Sequence, residues 1–260
     1  RHRFFRELNA NWPASAKVSA AELAAYEDNI LAHTKTLNDR RQAGGERRIV
    51  WKYFQWLSLI FTERYLDLFF HQPAQLLDSL NEFLLRFNAW RTAARLPTTV
   101  EPFTVADLNR LCFQNATGSG KSFLMHANVL QFRHYAKLSN RENEFSRSVL
   151  ITPNESLTEQ HLRELGQNGI ASQRFRADLL GSPDLGRVDV IEITKLGEVR
   201  RENTVAVSEF GDNNLLLVDE GHRGLGSEEE TGWLKRREAI AARGFVFEYS
   251  ATFAQAVAAA

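Results

Sequence analysis

The chain has 260 residues, 43% hydrophobic and 25% charged, enough apolar material for one large or two small globular domains, which excludes a disordered chain. Its 32 Lys/Arg balance 32 Asp/Glu, and the split at residue 98 yields only +4 before (14 against 10) and −4 after (18 against 22). Neither part carries the basic footprint of a protein that binds nucleic acid through charge alone. A single cysteine, Cys112, excludes an internal disulfide framework and suits a reducing cytoplasm; its place in an apolar run reads as a small core residue. The seven histidines lack metal-ligand spacing. No cleavable signal opens the chain, and Arg1 in place of an initiator Met reads as part of a longer polypeptide.

Residues 18–42 are rich in Ala, Leu, Glu and Lys and read as a helix, closed by a turn at Gln42-Ala43-Gly44-Gly45-Glu46. Ile49 to Phe70 is dense in aromatics, among them Trp51, Trp56, Phe61 and Phe69. A membrane span fails on Lys52, Glu63, Arg64 and Asp67. An aromatic platform for stacked bases is an alternative, but the preferred reading is a core helix of an α-helical domain. A further helix over about 74–95 places Leu76, Leu77, Leu80, Phe83, Leu84 and Phe87 on its buried side. Residues 96–102 hold two prolines and no periodicity, so they mark a boundary between an α-helical domain, 1–98, and a second domain, 99–260. Phe103 to Arg110 reads as a short helix.

Leu111-Cys112-Phe113 reads as the end of a buried strand, followed by Ala116-Thr117-Gly118-Ser119-Gly120-Lys121-Ser122 and an amphipathic helix. Glycines let a loop curl so that its N–H groups converge on an anion at the helix N-terminus. Lys121 then serves the β- and γ-phosphates, and Ser122 serves Mg²⁺. Asn115 stands where this pattern usually has its first glycine, so a chance loop of small residues is the competing reading. Val149 to Asn154 reads as a strand broken by Pro153, with Asn154 or Ser156 capping the next helix. Val188 to Ile193 reads as another strand. Leu215-Leu216-Leu217-Val218-Asp219-Glu220-Gly221-His222 is a buried parallel strand that delivers two acids at its C-terminal edge. Asp219 would hold Mg²⁺ and Glu220 would polarise a water; an acidic turn after a core strand is the plainer alternative. Phe245 to Thr252 is a last strand ending in Ser250-Ala251-Thr252.

The order of Asn-Ala-Thr-Gly-Ser-Gly-Lys-Ser, Asp-Glu-Gly-His and Ser-Ala-Thr resembles the first motor domain of superfamily 2 helicases. Within that group it is most similar to the ATPase subunits of type I and type III restriction enzymes, over roughly residues 103–257. That family tolerates a residue other than glycine at the position of Asn115. The resemblance implies a RecA-like α/β fold with a mostly parallel sheet, preceded here by the helical domain. It implies ATP and Mg²⁺ as cofactors, with Thr117, Gly118, Ser119, Gly120, Lys121 and Ser122 binding nucleotide and Lys121, Asp219 and Glu220 catalytic. It further implies that Thr152, Pro153 and Asn154 touch a nucleic-acid backbone, and that His222 couples hydrolysis to movement through Ser250 and Thr252. Relatives place an aromatic or Gln near adenine, for which Phe103 and Gln114 are candidates. DNA is the implied partner, with RNA left open, alongside a second motor domain that carries the arginine finger and other subunits of a defence complex. No membrane is involved. The reading is an ATP-driven helicase or translocase of a restriction-like or anti-phage system, hydrolysing slowly as this fragment alone. A nucleotide-dependent switch and a small-molecule kinase are the alternatives; the kinase leaves Asp219-Glu220 and Ser250-Ala251-Thr252 without a joint explanation.

Overall fold

In the computed structural model the described residues are 3–11, 18–96, 99–175, 184–197, 204–219 and 235–251. After α1 (Arg3–Ala10), α2 (Ala20–Ala43) starts at Ser19. The Ser19 hydroxyl accepts from the Glu22 N–H at 3.2 Å, and the Glu22 carboxylate accepts from the Ser19 N–H at 2.7 Å. This reciprocal cap satisfies two donors that an open helix end would leave bare. α3 (Tyr53–His71) and α4 (Pro73–Ala93) are separated at Gln72, with Pro73 at the first helical position, where its missing N–H costs nothing.

Six strands follow: β1 (Arg110–Gln114), β2 (Arg147–Thr152), β3 (Ser172–Arg174), β4 (Asp184–Glu192), β7 (Leu215–Asp219) and β8 (Phe245–Ser250). A separate two-stranded ribbon pairs β5 (Leu196–Gly197) with β6 (Val205–Ala206). The main sheet has the order β1-β8-β7-β2-β4-β3, with every pair parallel. The crossovers run through α5 (Lys121–Leu138) between β1 and β2 and α6 (Glu155–Gln167) between β2 and β3, as parallel pairing requires. This is the α/β architecture of a RecA-like domain, reached through helices at the N-terminal side.

Alternation along the central strands sorts their side chains to two faces. Leu150, Leu215, Leu217, Phe245 and Phe247 face α5 and the helices stacked on it, in one cluster with Leu23, Ile30, Trp56, Leu59 and Phe70. Val149, Ile151, Leu216, Val218 and Val246 face Ile240 and Phe210 on the other side. Part of the aromatic run of α3 is core, since Phe69 meets Phe245 at 4.9 Å between centroids and Phe70 meets Phe132 at 5.3 Å, whereas Tyr53, Phe54 and Phe61 are exposed. One buried cluster runs through the helices and the sheet alike.

Three local readings change. The segment before β1 is a 3-10 helix, Val105–Asn109, shorter and tighter than the helix expected over Phe103 to Arg110. β1 is an edge strand among the described residues, and Cys112 is exposed on it where a core position was expected. Desolvation by the surrounding protein, with the nearby Glu248 charge, pushes its thiol up to about 11, which leaves it protonated at neutral pH. On α4 only Leu76 and Leu84 are buried, while Phe83 is 60% exposed. Leu77, Leu80 and Phe87 are half-buried where α4 packs on α3 and the 3-10 helix, so Phe83 alone of the six expected positions is exposed. A groove of about 550 Å³, bordered by Phe61, Tyr65, Leu80, Phe83 and Phe113, runs between α3, α4 and β1.

A polar seam crosses the apolar interface of α2, α3 and α5. The Glu63 carboxylate accepts from Tyr135 Oη at 2.7 Å, Gln131 Nε2 at 2.7 Å and Asn29 Nδ2 at 3.1 Å. Asn128 Oδ1 takes the Tyr249 hydroxyl at 2.8 Å, which ties the seam to β8. Burial pushes Glu63 up to about 7 despite those three donors. Between the usual glutamate range and that value the folded protein holds a proton that the unfolded chain has lost, so stability falls as pH rises through this window. Glu63→Gln is expected to flatten the fall between pH 4.5 and 7, an effect of up to about 3 kcal/mol read by denaturant unfolding at several pH values. An unchanged pH profile would contradict the buried-acid account.

Candidate nucleotide site at the strand ends

Because every strand of the main sheet is parallel, their C-terminal ends lie along one edge. Gln114 of β1 pairs with Ser250 of β8, and Tyr249 pairs with Asp219 of β7. The phosphate loop, Ser250 and Asp219 therefore leave three adjacent strands side by side. The Asn115 N–H donates to the Ser250 carbonyl at 2.9 Å, which extends the ladder one residue into the loop.

The loop turns on its glycines. Gly118 and Gly120 have φ of +73° and +86°, a region costly for residues with a Cβ. The Ser119 N–H closes a turn on the Ala116 carbonyl at 3.1 Å. Gly120 caps α5, its carbonyl accepting from the Phe123 and Leu124 N–H groups, so Lys121 and Ser122 occupy the first turn. That turn is the positive end of an 18-residue helix. Lys121 and Ser122 are half-buried, and the Ser119 hydroxyl is buried without a hydrogen-bond partner among the described residues. A polar atom of this kind, inside a curled glycine loop at a helix N-terminus, fits a phosphate.

The helical region reaches this loop directly. Gln55 of α3 donates through Nε2 to the Ser119 carbonyl at 2.6 Å, while its Oε1 accepts from the Lys52 N–H at 2.8 Å. Arg41 of α2 lies over the Phe123 ring, 5.0 Å from its centroid. Sequence reasoning gave Gln55 no role; nothing local marks a glutamine 64 positions away as a brace.

Asp219 ends β7 with a side chain only 10% exposed, and its Oδ2 lies 3.0 Å from Nε2 of His161. Its closeness and burial together raise the Tyr249 phenol, burial being the larger cause. Ser250 is fully buried. Thr152 is also buried, with its hydroxyl 2.6 Å from that of Thr158, so its side chain serves the core. Pro153 is half-buried and Asn154 exposed; Asn154 Oδ1 accepts from the Leu157 N–H at 3.0 Å and caps α6, as its position suggested. Gln114 sits at the loop end of β1, whereas Phe103 borders a groove with Asn109 and Arg110 at the opposite end, away from any nucleotide in the loop. Glu220, His222 and Thr252, assigned to water activation and coupling, lie outside the described residues.

A parallel sheet that presents a glycine phosphate loop and a carboxylate at the ends of two strands flanking a third is the arrangement of a P-loop ATPase domain of the helicase superfamily 2 type. The chain belongs to the family of type III restriction enzyme res subunits, whose model matches residues 74–255 and so spans the loop, Asp219 and Ser250. No curated protein matches it. No helix among the described residues is long and apolar enough to cross a membrane.

A Cβ on Gly120 would stand 2.6 Å from Gln55 Nε2. Gly120→Ala is expected to destabilise the fold by about 1–2 kcal/mol from backbone conformation, with a further cost for displacing Gln55. Gln55→Ala alone should cost about 1 kcal/mol. In a double-mutant cycle by thermal unfolding, the Gln55→Ala background should reduce the Gly120→Ala penalty. Strict additivity would show that the two do not touch.

Proposed function

We propose that this chain is the first motor domain of an ATP-driven DNA translocase or helicase in a restriction-like or anti-phage defence system, acting in the cytoplasm. The observation that carries the reading is the placement of the phosphate loop and Asp219 on strands flanking β8, at one edge of an all-parallel sheet. Family membership supports an ATPase of this general kind. Residues 1–98 form a helical unit docked on the ATPase domain of 99–260, the two sharing one core.

In this reading Thr117, Gly118, Ser119 and Gly120 cradle the phosphates through main-chain N–H groups, and Lys121 contacts the β- and γ-phosphates. Ser122 and Asp219 are the residues that would hold Mg²⁺, which when bound neutralises charge on the transferred phosphoryl group. Glu220 takes a proton from the attacking water. The turn at Thr152, Pro153 and Asn154 contacts the nucleic-acid backbone, with Thr152 contributing main-chain groups because its hydroxyl is committed to Thr158. His222 relays the state of the site to Ser250 and Thr252 and onward to a second motor domain, which supplies the arginine finger.

Three substitutions separate these roles in the intact protein. Lys121→Ala should weaken ATP binding by about 10- to 100-fold, as loss of a charge-assisted contact does. Glu220→Gln should preserve binding and lower turnover by about 100- to 10,000-fold. His222→Ala should keep basal ATPase activity and lose its stimulation by DNA. The decisive measurement is ATPase rate with and without duplex DNA. Tight ATP binding without DNA stimulation would favour a nucleotide switch, and unchanged affinity in folded Lys121→Ala would remove the nucleotide assignment altogether.

A further inference from the structure

Behind Asp219 lies a buried polar chain that the roles above do not use. His161 of α6 is 1% exposed, and its Nε2 lies 3.0 Å from Asp219 Oδ2. On its far side, His161, His126 and Glu164 each bring one ligand atom within 4.8 Å of the other two. Three of their atoms, His161 Nδ1, His126 Nε2 and Glu164 Oε2, are buried and have no hydrogen-bond partner among the described residues. Two histidines and a glutamate at such spacing have the outline of a transition-metal site.

The outer partners decide otherwise. Arg41 Nη1 donates to Asn168 Oδ1 at 2.9 Å, so the amide nitrogen of Asn168 is what faces His126 Nδ1, in close contact. His126 Nδ1 therefore accepts, and its Nε2 carries the proton in a ring that burial keeps neutral, with its pKa lowered to about 3. His161 Nε2 lies 3.0 Å from the Asp219 carboxylate, and an imidazole nitrogen facing a carboxylate oxygen donates to it. Glu164 Oε1 already accepts from Gln160 Nε2 at 2.8 Å, and Oε2 is a second acceptor. The His126 Nε2 donor and the Glu164 Oε2 acceptor share this cluster, a pairing that a bridging water suits. A divalent cation needs three lone pairs. To offer the third, His126 would have to lose its Nε2 proton and Asn168 turn its amide hydrogens toward the Arg41 guanidinium.

We propose that His161 is a positioning residue for Asp219: it orients the carboxylate toward the metal side of the nucleotide, and it is held by a chain that passes through His126 and Asn168 to Arg41 of α2. This rests on the reading of Asp219 as a Mg²⁺-holding residue. Partners of this kind, one shell out from a metal, commonly change metal affinity by about 10- to 100-fold.

The test is equilibrium binding of a fluorescent ATP analogue to the intact protein, with and without Mg²⁺, together with thermal unfolding and metal analysis of the purified protein. In His161→Ala the strengthening of binding by Mg²⁺ should shrink by about 10- to 100-fold while Mg²⁺-free affinity stays as in the native protein. His161→Gln places an amide N–H near the position of Nε2 and should recover most of the effect. His161→Asn keeps the polarity but is too short to reach Asp219 and should behave as His161→Ala, which keeps the test open if the alanine variant does not fold. Native Mg²⁺ dependence in folded His161→Ala or His161→Asn overturns the proposal. So does an equal loss of affinity with and without Mg²⁺, which would mark a merely structural histidine, or no recovery in folded His161→Gln. A stoichiometric transition metal lost on His126→Ala overturns the hydrogen-bond assignment in favour of a metal site. If the native protein binds no nucleotide in either condition, the failure lies with the nucleotide reading itself.

Discussion

Parallel pairing of β1 with β8 and of β8 with β7 is the constraint on which the site depends. A strand can follow its neighbour in the same direction only by a crossover through another element, so the two strands bearing the phosphate loop and Asp219 must be far apart in sequence and still end at one edge. No single residue places Lys121 beside the acidic strand end. The apolar runs of β7 and β8 do, by being buried on both faces and leaving one register compatible with the core. The helix dipole of α5 and the curl of Gly118 and Gly120 add chemistry only because the sheet has already put them there.

The second support is polar and crosses the same interface. Around Glu63, four elements exchange hydrogen bonds inside an apolar layer, where an unmatched partner would be expensive. That requirement makes the docking of α2 and α3 on α5 specific in orientation, whereas the aromatic contacts of Phe69 and Phe70 alone would tolerate sliding. The fixed orientation lets Gln55 reach Ser119 and Arg41 reach both Phe123 and Asn168. The N-terminal helices are thus part of the site's frame.

What was legible in the sequence follows the range of the interactions involved. The phosphate loop is local chemistry: small residues, a lysine and a helix start suffice to announce it. β2, β7 and β8 are continuous apolar runs, and they end at Thr152, Asp219 and Ser250, inside the segments read as strands. β3 was missed because Ser172-Gln173-Arg174 has no apolar signal and is a strand only by pairing with β4. Cys112 was misplaced because edge or interior is a property of the neighbours. The outward face of α4 is the same error in a helix, since periodicity gives a stripe but not how much of it is covered. Gln55 and His161 act across 64 and 58 positions, a distance over which composition carries no message. His161 was passed over for a further reason: its partner is a carboxylate, so metal-ligand spacing was the wrong pattern to search for.

Among the described residues β1 has one neighbouring strand, and its loop is gripped from that side by the Asn115–Ser250 bond and from the other by Gln55. A loop held between a sheet and a helix layer behaves like a tongue between two jaws. Sliding α3 along α5 by even part of a helical turn would drag the Ser119 carbonyl and rotate the neighbouring N–H groups away from their common focus. The position of α3 and the shape of the loop are therefore one geometric variable, not two.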